Sequence, residues 1–297
     1  MNAQYALSLV FATVISVASA ARNGEIRGNV YEIDVPSGQT VDLSPDDVAA
    51  LGTGTGDITE LKKSGDGTLV VATALPNFAG TIRVVGGTYQ VKSTVSSPFG
   101  TTAGPTIVDG GTVRFVGNNG STTALDGNFQ TEEFQVAGQG YAGEGAICIA
   151  AENTPNNNKV RFGKFKLLGD VLITGEGAKN KNFPYFVKDY TFDMGGYTMT
   201  LDSSGNAQFD SNQIVNPGHF VTRGAGQFYI ASSALFNHGP EHTITVGSTA
   251  YLSFYRNSLS NPFNWKVICA ATTSTISFEM ASTFAGEIMF DGDIEIN

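Results

Sequence analysis

The chain holds three histidines, and two of them stand in "HGPEH", residues 238 to 242. That spelling matches the H-x-x-E-H pattern of inverted zinc peptidases, in which two histidines on one helix face ligate zinc and the glutamate acts as base. Gly239 and Pro240 oppose a helix there, so the phrase reads as a polar loop between strands, and no metal or other cofactor is expected. A second group, Asp189, Asp193 and Asp202 beside Lys188 in "VKDYTFDMGGYTMTLD", offers carboxylates for glycan chemistry. Such chemistry needs an acid pair, or a calcium cluster beside a basic residue for a lyase. Asp189 and Asp193 are an even number apart, so an unbroken strand carries both on one face. A shared face is not a cleft, and no Asn-x-Asp or Asp-Asp pair follows Asp47. These acids read first as solvated strand charges and second as catalytic groups. Aromatic rings are the third possibility, because exposed rings stack on sugars or bury in a partner. Most rings of "NFPYFVKDYTF" and "FYRNSLSNPFNW" read as core. Tyr185 and Trp265, beside Pro184 and Asn264, are the two expected at the surface as ligand-binding residues. Cys148 and Cys269 lie far apart in sequence. In an oxidising compartment they can form a disulfide, and two separate buried thiols suit the spacing equally well.

The elements that would position these groups are nearly all strands. Of the 297 residues 15% are charged, well below an ordinary soluble domain, and 36 are glycine. That balance describes extended structure with many turns. The net charge of −10 excludes a nucleic-acid partner, since phosphate neutralisation needs clustered Lys and Arg. The densest basic group, Lys159, Arg161, Lys164 and Lys166, reads as a solvated strand face.

One helix is expected, in "LSPDDVAALGTG". Ser44 caps its free N–H groups, Pro45 suits the first position, Asp46 and Asp47 oppose the dipole, and Gly52 stops it. Elsewhere apolar alternation, a glycine turn and further alternation recur. Phe78-Ala79-Gly80 is followed by Ile82, Val84, Gly87, Tyr89 and Val91, and Phe284-Ala285-Gly286 by Ile288, Phe290, Gly292, Ile294 and Ile296. Gly87 and Gly111 are 24 residues apart, a coil-like period that points to a solenoid. One such coil orders too much backbone for the few side chains that it buries. Stacked coils share ladder hydrogen bonds and an interior. The expected fold is therefore all-β, a single-stranded parallel β-helix (β-solenoid) over residues 57–297. A short strand and helix cap over residues 21–56 precedes it. An antiparallel sandwich is the main competitor.

"ITELKKSGDGTLVVATALPNFAGTIRVVGGTYQV", residues 58 to 91, resembles the passenger-associated repeat of bacterial autotransporters. Lys63, Gly65, Gly67, Thr68 and Leu69 match its first half, and Phe78, Gly80, Thr81, Val84, Gly87 and Thr88 its second. "SPFGTTAGPTIVDGGTVRFVG" resembles the segment that commonly follows. The resemblance implies a right-handed parallel β-helix exported across a Gram-negative envelope and no catalytic residue. It also implies a C-terminal membrane barrel, which residues up to Asn297 do not include. Gly65, Gly67, Gly80, Gly87, Gly111 and Gly286 are expected as structural turn glycines.

The first residues agree with export. "MNAQYALSLVFATVISVASA" has an apolar run ending in Ala18-Ser19-Ala20, the small residues of a signal-peptidase site, so residues 1–20 read as a signal peptide. The run is too short to span a bilayer, and no later run is long enough for a transmembrane helix. Asn119-Gly120-Ser121 spells a glycosylation acceptor, incidental in a bacterium. The final phrase ends as a strand edge that can pair with a second chain end to end, which the charges of Glu287, Asp291, Asp293 and Glu295 oppose. The leading expectation is an exported, extracellular or surface-bound structural or adhesive solenoid without catalysis, with surface glycans or host and cell-surface proteins as partners. The alternatives are a carbohydrate-active β-helix enzyme (polysaccharide lyase or glycoside hydrolase) and a non-catalytic glycan-binding protein.

Overall fold

Glycine corners between short alternating runs let the chain change direction every few residues, and it winds into stacked parallel coils. The structure, a computed structural model, describes residues 22–92, 95–116, 126–150, 158–176, 182–187, 189–210, 213–231, 238–254, 263–270, 273–278 and 287–290. Residues 1–20, Lys188, Asn119-Gly120-Ser121 and the second Phe-Ala-Gly phrase with Gly286 lie outside them.

Three sheets form the walls. Sheet I stacks Val30–Asp34, Glu60–Ser64, Thr81–Val84, Thr106–Asp109, Asp126–Gly138, Asn158–Glu176, Thr191–Asp193 and Gln213–Val215 in register. Sheet II runs from Thr40–Asp42 through Thr68–Val71, Thr88–Lys92, Thr112–Val116, Ile147–Ala150, Asn158–Glu176 and Thr198–Ser203. It continues through His219–Arg223, Thr243–Val246, Lys266–Cys269 and Ile288–Phe290. Sheet III starts at Asp126–Gly138 and adds Asn158–Glu176, Asn182–Phe186, Ala207–Phe209, Gln227–Ile230, Tyr251–Phe254 and Thr275–Phe278. The strand Asn158–Glu176 is long enough to bend through all three sheets. Among the described residues every pairing is parallel except Glu25–Arg27 with Val30–Asp34, which removes the antiparallel sandwich from consideration.

That one reversal caps the first coil. Glu25–Arg27 turns back along the outermost strand of sheet I and occupies an edge that would otherwise invite pairing. The helix Pro45–Leu51 closes the same end, with Ser44 and Asp47 in a reciprocal capping box and Gly52 past the last turn. Asp47 is fully buried and does more than cap. It accepts bonds from Asn23 N at 2.7 Å, Asn23 Nδ2 at 2.8 Å, Tyr31 Oη at 2.6 Å and Ser44 Oγ at 2.7 Å. Burial alone pushes its pKa up. The bonds from Tyr31, Ser44 and Asn23 together overcome that and hold it below the ordinary value. The coils begin inside the segment expected to be cap, since Val30–Asp34 and Thr40–Asp42 already pair in parallel with the next coil. Alternation in "VYEID" follows the pleat of a coil strand and has no reason to stop at a cap.

Register puts like on like along the axis. On sheet II one inward column passes through Val41, Leu69, Tyr89, Val113, Ile147, Ile173, Leu201, Thr222 and Val246. Where sheets III and I meet, phenylalanines from the two walls interleave. Ring centroids are 5.4 Å apart for Phe162–Phe165, 5.2 Å for Phe165–Phe186, 5.1 Å for Phe186–Phe192 and 5.2 Å for Phe192–Phe209. Most of these contacts are edge-to-face, worth about 0.5–1.5 kcal/mol each beyond the area that they bury.

The passenger-type phrase falls on this frame at inward and corner positions. Leu69, Phe78 and Val84 are buried. Lys63 stands in the inward column between Ile33 and Val84 and is fully buried. Its Nζ donates to three main-chain carbonyls, Ser64 O at 2.7 Å, Gly65 O at 2.8 Å and Gly86 O at 3.0 Å. Burial pulls its pKa down to about 8, so at neutral pH the ammonium is charged and ties two successive corners together. Gly87 shows why the corner takes no side chain: its φ is +55°, and a Cβ there would lie 2.2 Å from Gly67 O and 2.8 Å from Lys63 Nζ.

Candidate functional site

A cleft of mixed charged and aromatic lining opens on the outer surface where the chain passes from sheet III to sheet I. It consists of two adjoining depressions of about 530 and 410 Å³ that share Asp189 and Tyr190. The first is lined by Gln130, Arg161, Tyr185, Val187 and Asp210, the second by Glu133, Lys164, Phe165, Lys166, Thr191 and Asp193. The residues come from successive coils. Arg161 and Tyr185 are direct register partners, outward-facing on sheet III, and the Arg161 guanidinium sits 5.8 Å from the Tyr185 ring centre. Tyr185 Oη donates to Asp210 Oδ2 at 2.5 Å. Burial first, and then this carboxylate, push the phenol pKa up to about 12.

The turn between Asn182–Phe186 and Thr191–Asp193 sets the middle of the cleft. Asp189 is exposed, with a left-handed φ of +70° unusual for a residue other than glycine. Tyr190 next to it is half-buried and lies over Gly163, where a Cβ would come 2.8 Å from the Tyr190 ring and 2.0 Å from Gln130 O. Absence of a side chain at Gly163 is what seats the ring. On the far side Asp193 Oδ1 accepts from Gly195 N at 3.0 Å and Asn216 Nδ2 at 2.9 Å, so this carboxylate also holds its own turn. Lys164 and Lys166 point outward and alternate with the buried Phe165 and Leu167.

The structure thus brings Tyr185, Asp189 and Asp193 to one cleft. Asp189 and Asp193 do not share an unbroken strand, because the turn interrupts it. Asp202 is elsewhere, exposed on sheet II between Thr174 and Arg223 in register. Trp265 is a correction: it is fully buried against Phe220 at 5.6 Å and His242 at 5.2 Å. The neighbouring Asn264 suggested a surface loop, but the period-two pleat of "WKVIC" puts Trp265 on the inward side with Val267 and Cys269. Arg161 and Asp210, the partners of Tyr185, stand 24 and 25 residues from it, which matches the coil period of Gly87 and Gly111, and that period is the only sequence signal that points to them.

Of the two arrangements open to the cysteines, the structure has separate buried thiols with no disulfide between them. Cys148 is next to the inward Ile147 and so on the opposite face of sheet II from Cys269, which follows Val246 in the inward column. Four strands intervene, Asn158–Glu176, Thr198–Ser203, His219–Arg223 and Thr243–Val246. At ~4.8 Å per strand the two are more than 20 Å apart, beyond any S–S bond. "HGPEH" forms a turn leading into Thr243–Val246, with no helix. His242 lies 6.2 Å from His238 and 6.4 Å from His219, ring centre to ring centre. Among the described residues no three His, Cys, Asp or Glu side chains are grouped to hold a metal ion. No helix among them is long and apolar enough to cross a membrane.

Sheets and site together define the class of protein: a β-solenoid with one continuous interior and a mixed polar and aromatic cleft on its outer wall. No protein-family model matches the chain, and no curated protein or solved structure is detectably similar to it.

Proposed function

We propose that this chain is a secreted or cell-surface structural and adhesive β-solenoid of the autotransporter-passenger type. The observation that carries the reading is the unbroken stacking of parallel coils on one aromatic and aliphatic core. Such a rod is stiff along its axis, because each coil is bonded to the coils on both sides. Its outer side chains stand in register for contact with a surface or ligand. The passenger-like phrase supports the reading from another side, since its Lys63, Gly65, Gly67, Phe78 and Gly87 serve coil geometry and no chemistry. The apolar start with Ala18-Ser19-Ala20 supports export. The test is the intact mass of native protein recovered separately from culture medium and from washed cells. Loss of residues 1–20 and recovery outside the cytoplasm are expected, and a full-length cytoplasmic product refutes the reading.

A second reading, a carbohydrate-active β-helix enzyme, draws on Asp189 and Asp193 lining one cleft. It requires cleavage of oligosaccharides, lost in Asp189→Asn. Inactivity across plant, algal and host glycans removes it.

A further inference from the structure

The geometry points to the Tyr190 cleft as a binding site for an uncharged polysaccharide segment, seated across successive coils. This rests on the adhesive reading and supplies its ligand class. Each depression is of the volume that commonly holds a small ligand or one end of a longer one. The argument for the ligand's chemistry comes from the walls. Carboxylates accept hydrogen bonds only, and ammonium and guanidinium groups donate only. Here they are interspersed: Asp189 and Asp210 face the end with Arg161, and Asp193 shares the other end with Lys164 and Lys166. A polyanion meets the carboxylates of Glu133, Asp189, Asp193 and Asp210, and a polycation meets Arg161, Lys164 and Lys166. A sugar hydroxyl both donates and accepts, so a neutral polyol matches both ends.

Two further features fit the same ligand. Tyr190 offers an aromatic face fixed against the side-chain-free Gly163, a platform for the apolar C–H face of a sugar ring. Asp189 is held outward by a left-handed backbone, strain of the kind that collects where a group must be presented. A peptide adding as a strand has no purchase here. The strands behind the cleft, Asn158–Glu176, Asn182–Phe186 and Thr191–Asp193, are paired on both sides.

The test is calorimetric titration of the purified chain with cello-, malto-, laminari- and chito-hexaose, with oligogalacturonate and glucosamine oligomers as charged controls. At least one neutral hexaose is expected to bind, and the charged controls at least tenfold more weakly. Tyr190→Ala should weaken that binding tenfold or more, while Tyr190→Phe retains it within about threefold. Asp189→Gly keeps the backbone conformation and deletes the carboxylate. It should fold at least as well as wild type and bind about fivefold or more weakly. Binding by none of the neutral sugars, preference for a charged control, or unchanged binding in both Tyr190→Ala and Asp189→Gly overturns the inference. The outcome does not depend on where the cell keeps the protein, so it separates from the localisation test.

Discussion

The hydroxyl of Thr106 donates a 2.8 Å hydrogen bond to Oε1 of Glu132 from the adjacent coil, inside the solenoid. Both side chains are buried, Glu132 inward on the same alternation as Phe134 and Val136. One neutral donor does not replace hydration of a carboxylate. Burial accordingly pushes the Glu132 pKa from 4.5 up to about 8.

The sign of the pH effect follows. The unfolded chain releases this proton near pH 4.5 and the folded chain near pH 8, so between those values the native state holds more protons. The contribution is complete below pH 4.5 and is lost as pH rises towards 8. About 3 kcal/mol should disappear between pH 4.5 and 7 from this group. Urea midpoints across that range should fall in wild type and stay flatter in Glu132→Gln, which is expected to be the more stable of the two at pH 8. Parallel pH curves for the two proteins would falsify the assignment.

Lys63 is a structural cation. Lys63→Met keeps much of the stem but removes the donor to Ser64 O, Gly65 O and Gly86 O. It should cost about 2–4 kcal/mol, read as a lower denaturation midpoint. A variant as stable as wild type would mean that the three carbonyls do not need the ammonium.

Two glycines separate strain from crowding. Gly28 and Gly87 both have positive φ, +64° and +55°, but a Cβ at Gly28 meets nothing within 4 Å. Gly28→Ala should cost about 1–2 kcal/mol. Gly87→Ala drives its Cβ into Gly67 O and should cost about 3 kcal/mol or more. Equal melting temperatures for the two variants would contradict the close approach of successive corners.

Trp265 is the chain's single tryptophan, so intrinsic tryptophan emission reports on it alone. Folded protein should emit to the blue and resist iodide quenching until it unfolds. Trp265→Ala should destabilise by about 3–5 kcal/mol and leave oligosaccharide binding, measured on the folded fraction, unchanged. Red-shifted emission that iodide quenches in the native state is the opposing result.

The two thiols are expected to stay independent. Denatured, unreduced protein should take up two iodoacetamide labels, and the folded protein neither, because both groups are buried. Burial also pushes the Cys269 pKa up and lowers its reactivity. A missing pair of labels without reductant would restore the disulfide.

Local pattern made the coil readable. Period-two alternation fixes which residues face inward, as in "TIRV" and "HFVTR", and turn glycines mark where direction changes. The Ser44 cap and the helix after it follow from side-chain chemistry within four residues. Trp265 obeyed the same alternation, although its loop-like neighbour argued against it.

What the amino-acid order determined by itself was therefore the coil: its strands, its corners, the helix at its end and the approximate repeat length. Which coil lies on which is a matter of register summed over many turns, and it varies wherever a loop lengthens or a strand bends, as Asn158–Glu176 does. Only the folded stack placed Arg161 under Tyr185 and Asp210 against its hydroxyl, seated Tyr190 on Gly163, and kept Cys148 and Cys269 on opposite faces of one sheet. The physical reason is range. Alternation and capping act between residues a few positions apart, whereas a cleft on a solenoid is assembled from side chains one coil apart, and that distance is set by the path of every residue between them.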